Sequence, residues 1–236
     1  MTDFLDNPPA SLPPPALPAA RSERVRLRRK RDRGRYGRET IDAILDEALV
    51  AHLGIVDERG QPFVIPTLHA RHGDEVFLHG SAASRTLRAL SAGAPACLTA
   101  SLIDGLVLAR SAIHHSANYR SVMLLGQARE IDEPAAKRAA LRAIIEHVMP
   151  GRWEDVRPPT DQELQATAVL ALAIDEASAK IRTGPPVDDE DDHALRAWAG
   201  VVPLSLAAHA PQPDPQLSPG IPVPPYASAY ARPAGP

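Results

Sequence analysis

The sequence predicts a mainly β protein with flanking helices, arranged as an antiparallel barrel. Short runs rich in Val, Ile and Leu recur from Leu49 to Ile181, bounded by Gly- and Asp-containing turns. Few helical segments separate them, which disfavours the alternating helix and strand order of a parallel sheet. With 236 residues, 44% hydrophobic and only 4% aromatic, the chain has material for one domain with a mainly aliphatic core.

The elements follow in order. "ETIDAILDEA" places Ile41, Ile44 and Leu45 at helical spacing, with Thr40 as its expected N-cap. "LVAHLGIVDE" and "PFVIPTLHARH" read as strands around an "RGQ" turn, and "HGDE" leads into "VFLHG", so a three-strand meander is expected. A helix from Ser84 to Ala92 comes next. "PACLTASLID" and "GLVLARSA" predict two further strands, and "SVMLLGQAREID" a sixth. "EPAAKRAALRAIIEHV" is a helix with Pro134 in its first turn and an apolar stripe through Ala140, Leu141, Ile144 and Ile145. "TDQELQAT" opens another capped helix, and "AVLALAIDEASAKI" reads as one last strand.

Composition sets the domain limits. Residues 1–38 form an expected disordered arm, Pro-rich to residue 20 and then basic, with ten cationic and two anionic side chains from Arg21 to Arg38. Residues 39–203 hold the folded domain and its C-terminal extension. Residues 204–236 form an expected disordered Pro-rich tail. The acidic run "DDEDD" is a candidate partner for the basic arm.

Net charge of −3 argues against a protein built around nucleic acid, and a basic run is ordinarily a solvated segment. A single cysteine, Cys97, excludes an internal disulfide and fits a reducing compartment; with no leader-like or spanning apolar stretch, a cytoplasmic protein away from membranes is expected. The common dinucleotide, nucleotide-phosphate, zinc-protease and hydrolase motifs do not occur.

Three stretches carry candidate chemistry: "IPTLHAR", "HGSAASR" and "NYRSVMLLGQA" each set small polar or basic groups beside a strand end. Arg85 and Arg120 offer forked donors for a phosphate, and Ser81, Ser84 and Ser121 offer hydroxyls. The strand-to-helix turn before Arg85 suits an anion, because helix N-termini carry unpaired N–H groups. His114 and His115 invite a metal or haem reading, but neighbours on a strand face opposite ways, so no metal site is expected.

In their order, "RGRYGRETIDAILDEALVAHLGIVDERGQPFVIPTLHAR", "VFLHGSAASRTLRAL", "YRSVMLLGQAREID", "AKIRTGPP" and "WAGVVPL" resemble the FMN-binding split β-barrels related to pyridoxamine 5′-phosphate oxidase, in particular the branch of nitroimidazole-resistance reductases. The resemblance spans residues 33–203 and implies FMN in a cleft between two copies of the chain. It implies that Pro66, Thr67 and Leu68 border the flavin ring. It also implies that His79, Gly80, Ser81 and Arg85 form the phosphate segment, with Tyr119, Arg120, Ser121 and Val122 closing the ribityl and phosphate end. His79 is the catalytic candidate.

The Arg- and His-bearing C-terminal run of pyridoxamine 5′-phosphate oxidase itself is replaced here by prolines, so pyridoxine chemistry is not expected. The expectation is a homodimeric FMN-dependent oxidoreductase acting on a small molecule. The alternative is a non-catalytic flavin-binding module for storage or sensing.

Overall fold

The computed structural model describes residues 18–231. In chain order its elements are β1 (Gly34–Arg35), α1 (Arg38–Glu47), β2 (Val50–Val56), β3 (Pro62–Leu68), β4 (Ala70–His72), β5 (Glu75–Ser81), α2 (Arg85–Ser91), β6 (Pro95–Leu108), β7 (Ser116–Glu130), α3 (Pro134–Val148), α4 (Asp161–Ala166), β8 (Thr167–Ala173), β9 (Glu176–Arg182), β10 (Gly200–Pro203) and α5 (Pro225–Ser228).

All strand pairs are antiparallel, and the main path runs β3-β2-β6-β7-β8-β5-β4. Strand β7 divides the barrel: residues 119–125 pair with β9, while residues 128–130 pair with β8. The core lies inside this curled sheet, where Leu53, Val76, Leu78, Leu98, Leu124 and Leu170 meet Ile44 and Leu45 of α1 and Leu90 of α2. A second cluster joins Phe77, Val169 and Ala171 on the other face of β5 and β8 to Ile131, Ala140 and Ile144.

Several expectations change. The meander is two separate hairpins, because the chain breaks at His69: β3 pairs with β2, and β4 pairs with β5. His69, at this break, is fully buried, and its Nε2 lies 3.0 Å from the Leu45 carbonyl. The two strands expected between Pro95 and Ala112 are one, β6, with a register shift between Ile103 and Gly105. The last expected strand is two, because the pairing along β7 is interrupted at Ile174 and Asp175: residues 170–172 pair with 128–130 and residues 176–182 with 119–125. Five consecutive residues, Ala168 to Leu172, are buried on alternate faces, so the apolar run carries no mark of the break.

Local chemistry explains the helix ends. Gly37, not Thr40, occupies the N-cap of α1, without a side-chain cap. Ser84 caps α2, Glu133 caps α3 through the Ala135 and Ala136 N–H groups, and Thr160 with Glu163 forms a capping box on α4.

The basic arm is part of the fold from residue 18 onward, which corrects the domain start at residue 39. Val25 is 1% exposed, the Leu27 N–H donates to the Tyr36 hydroxyl at 2.8 Å, and β1 pairs with β9. Arg21 and Arg24 pair with Asp175 and Glu176, while Asp188 of the acidic run takes Arg110. Beyond Pro203 the chain is exposed along most of its length, yet Tyr226 accepts from Arg152 at 2.9 Å. The rest of both expected disordered tails, residues 1–17 and 232–236, lies outside the described residues. No helix among the described residues is long and apolar enough to cross a membrane.

Candidate functional site

The wall of the barrel is open between β3 and β5. β3 ends the main path and pairs only with β2 among the described residues, whereas β5 pairs with β4 and β8. The turn from Ser81 to Ser84 and helix α2 stand at this opening. Gly80 permits the approach, since a Cβ there would lie 2.8 Å from Leu87 Cδ1.

Arg85 leaves the first turn of α2 and lies over Phe63 of β3, its guanidinium carbon 4.6 Å from the ring centre. Arg85 and Arg88, one turn apart, have no ionic partner among the described residues. They line an open groove of about 740 Å³ with Arg59, Ile55, Phe63 and Ala89. Asp57 also borders it, but its carboxylate accepts from the Arg59 and Gln61 N–H groups of the β2–β3 turn. Ser81 Oγ accepts from the Ala83 N–H at 3.2 Å, and Ser84 Oγ caps the helix. With seven residues, α2 contributes little dipole, so the charge at the opening is set by Arg59, Arg85 and Arg88 against Asp57 and Glu58.

The other expected residues divide among three places. Pro66 and Leu68 lie on the outer face of the sheet, in register with His52 and Val50, while Thr67 pairs with buried Ala51 and faces inward. Tyr119 and Ser121 share that outer face, opposite Ile103 and Ser101. Val50, Val64, Leu68 and Ile103 make this face apolar and exposed. Val122 is core.

Arg120 does not stand free for a phosphate. Its Nη2 donates to Glu47 Oε1 at 2.8 Å and Asp104 Oδ1 at 2.7 Å, its Nε donates to Asp104 Oδ2 at 3.1 Å, and its Nη1 donates to Glu47 Oε2. These carboxylates raise its pKa, and the guanidinium ties the end of α1 to the β6 bulge.

His79 also departs from its expected place in the Arg85 turn. By alternation along β5 it shares the side of Phe77, which packs under α3, whereas Leu78 and Gly80 face the barrel and α2. Its Nδ1 is buried without a hydrogen-bond partner, and burial lowers its pKa.

Under α3 lies a second open groove, of about 490 Å³. Phe77, Ile131 and Ala140 form its floor, and the His72 ring stacks on Phe77 with centroids 5.8 Å apart. Arg129, paired with Glu75, and Arg142, paired with Glu154, stand at its rim. His114 and His115 lie in and just after a 3-10 turn, not on a strand, and His114 approaches Asp188 and Asp192.

Sequence reasoning missed Phe63, Arg88 and Arg59. The Arg88 signal was available, since it follows Arg85 by three residues on one helix face. Phe63 carried none, because its role depends on a helix 22 positions later.

Residues 37–181 match the pyridoxamine 5′-phosphate oxidase family model, and the chain belongs to this family, with its flavin-binding split-barrel fold. It is similar to the flavocytochrome Anf3 from Azotobacter vinelandii: 47% identity over 89% of this chain and 97% of the other, with a TM-score of 0.84. It is also similar to the FAD and heme binding protein from Mycobacterium smegmatis, with 41% identity, 82% and 95% coverage and a TM-score of 0.78. A putative 5-nitroimidazole antibiotic resistance protein from Bacteroides thetaiotaomicron shares the fold at 24% identity, 63% and 86% coverage and a TM-score of 0.54. No curated protein matches the sequence.

Proposed function

We propose that the protein is a flavin-dependent oxidoreductase of a small molecule, with haem as a second redox group. The observation that carries the flavin reading is Arg85, a cation without an acidic partner among the described residues, held over Phe63 where the barrel wall is open. It would hold a flavin phosphate, with the Ser81–Ser84 turn beside it.

FMN is the flavin first expected. FAD is now favoured, because Arg88 and Arg59 extend the cationic lining beyond what one phosphate engages, and because a relative 41% identical is named for FAD and heme. The haem reading draws on that relative and on the flavocytochrome. Besides its apolar floor, the groove under α3 is lined by His72, Arg129 and Arg142 and by the carboxylates of Glu75 and Glu146. When bound, a flavin supplies hydride acceptance and one-electron release, and a haem supplies one-electron exchange. A second copy of the chain would cover the apolar outer face that bears Val50, Val64, Leu68 and Ile103.

The test is the visible spectrum of the freshly purified full chain, with mass identification of the molecules released on denaturation. Near-stoichiometric flavin, followed by oxidation of reduced nicotinamide with a screen of acceptors, supports the proposal. Flavin without turnover across the screen favours the storage module. A colourless protein that takes up neither FMN nor FAD overturns the flavin reading.

A further inference from the structure

We infer that Arg182, with Arg33 and Lys180, forms a receptor for the phosphate group of a small molecule on the outer face of the sheet. The site is separate from the Arg85 turn and does not rest on it: Arg85 stands over β3, and β2, β6 and β7 lie between β3 and β9.

Arg182 is the last residue of β9 and is 7% exposed. Its Nη1 donates to Asn118 Oδ1 and, at 3.4 Å, to the Gly184 carbonyl, while its Nη2 donates to the Pro185 carbonyl at 3.1 Å. All three acceptors are neutral, and no carboxylate among the described residues meets the guanidinium. A guanidinium has five N–H donors, so the Nε donor and one Nη2 donor remain without an acceptor among the described residues. A buried charge is costly unless an opposite charge meets it. This cation therefore calls for an anion.

Two further cations stand beside it. Ala177 and Ala179 of β9 face the core, so Lys180 and Arg182 share the outer face. By register Lys180 lies opposite Gly34 of β1 and Ser121 of β7, and Arg182 lies opposite Tyr119. The 3-10 turn Arg31–Arg33 leads into β1 and packs on β9; burial, and then the nearby charge of Arg33, lowers the Arg182 pKa. Neither Arg33 nor Lys180 has an acidic partner among the described residues. Asp32, in the same turn, is exposed and pairs with none of the three. Arg120, the cation expected on this stretch of β7, is taken by Glu47 and Asp104, and Arg182 is the cation beside Tyr119 in its place.

Charge and shape select the ligand. A carboxylate from a second copy of the chain would balance one of the three cations. A phosphate carries up to two charges, and its oxygens take a forked guanidinium with further donors to spare. Such a group could come from the flavin proposed above or from a separate phosphorylated molecule.

The experiment is a calorimetric titration of the full-length protein with sodium phosphate, with and without bound flavin, against sodium chloride at equal ionic strength. Flavin per chain is measured in each sample. R182M removes the charge and keeps much of the bulk, and it is expected to weaken phosphate binding about tenfold or more. R33A, at a half-buried position, is expected to weaken it about three- to fivefold. Phosphate should also raise the urea midpoint of the wild type and leave that of R182M in place.

Binding to the flavin-loaded wild type that is lost in R182M assigns the receptor to a separate phosphorylated molecule. Binding confined to the flavin-free form, and lost in R182M, assigns it to the phosphate of the flavin. Phosphate binding in R182M equal to that of the wild type overturns the receptor. If R182M does not fold, the same result in the double variant R33A–K180A overturns it. Absence of phosphate binding in both forms also overturns it and leaves Arg182 to a carboxylate of a second copy. Flavin per chain tests the flavin reading in the same samples, so the two readings fail separately.

Discussion

Arg85 lies over the ring of Phe63, with its guanidinium carbon 4.6 Å from the ring centre. This contact joins α2 to the edge strand β3 at the place where the barrel wall is open. A cation stacked on a ring keeps its in-plane N–H donors available, so the contact orients the fork without consuming it.

Replacing Arg85 with Ala should therefore weaken flavin binding by about 1.5–3 kcal/mol, the range for a hydrogen bond to a charged group. Phe63→Leu keeps an apolar edge but loses the stack, and should weaken binding by about 0.5–1 kcal/mol. Titration of stripped protein, followed by flavin fluorescence, measures both. Equal affinity in wild type and Arg85→Ala would remove this arginine from the site.

Arg120 should behave in the opposite way. Its guanidinium satisfies Glu47 and Asp104, and all three side chains are partly buried. Arg120→Ala leaves two carboxylates close together without their cation. Allowing for their partial exposure, the loss of stability should be about 2–4 kcal/mol. Lys in its place keeps the charge but not the fork, and should recover only part of this. Urea midpoints test the stability, and flavin content per folded chain should stay near the wild-type value. Intact stability with lost flavin would return Arg120 to the phosphate site.

The difference between Arg85 and Arg120 shows what was legible in the sequence. Both sit beside strand ends in small polar segments, and nothing local distinguishes them. What separates them is the position of Glu47 and Asp104, which only the packing of α1 against the β6 bulge decides. The helices α1 and α3 were readable because each buries one stripe against the sheet. The break between β8 and β9 was not, because a strand buried on both faces has no alternation to lose. His79 was misplaced for a related reason: strand phase tells which residues share a face, but not which face meets α2 and which meets α3.

Val25 tests whether the arm belongs to the folded unit. A single apolar residue among arginines gives no periodic signal, yet it is 1% exposed here. Val25→Ala should lower stability by about 1–3 kcal/mol through lost burial and the cavity left behind. The urea midpoint should fall with an unchanged slope. A midpoint equal to that of the wild type would mean that residues 18–38 do not contribute to the cooperative fold.

His79 should give the protein a pH dependence with a definite sign. Burial disfavours its charged form, so its folded pKa lies below the ordinary value of 6.5. The unfolded chain therefore binds this proton more readily than the folded one. The stability from a neutral His79 is complete above pH 6.5 and is lost as pH falls toward the lower folded value. Gln in its place cannot titrate, so between pH 7 and pH 5 the stability of His79→Gln should fall less steeply than that of the wild type. Urea unfolding at half-unit pH steps gives both slopes, and their difference removes the contribution of the other histidines. Parallel slopes would show that the His79 imidazole reaches solvent and titrates as it does in an unfolded chain.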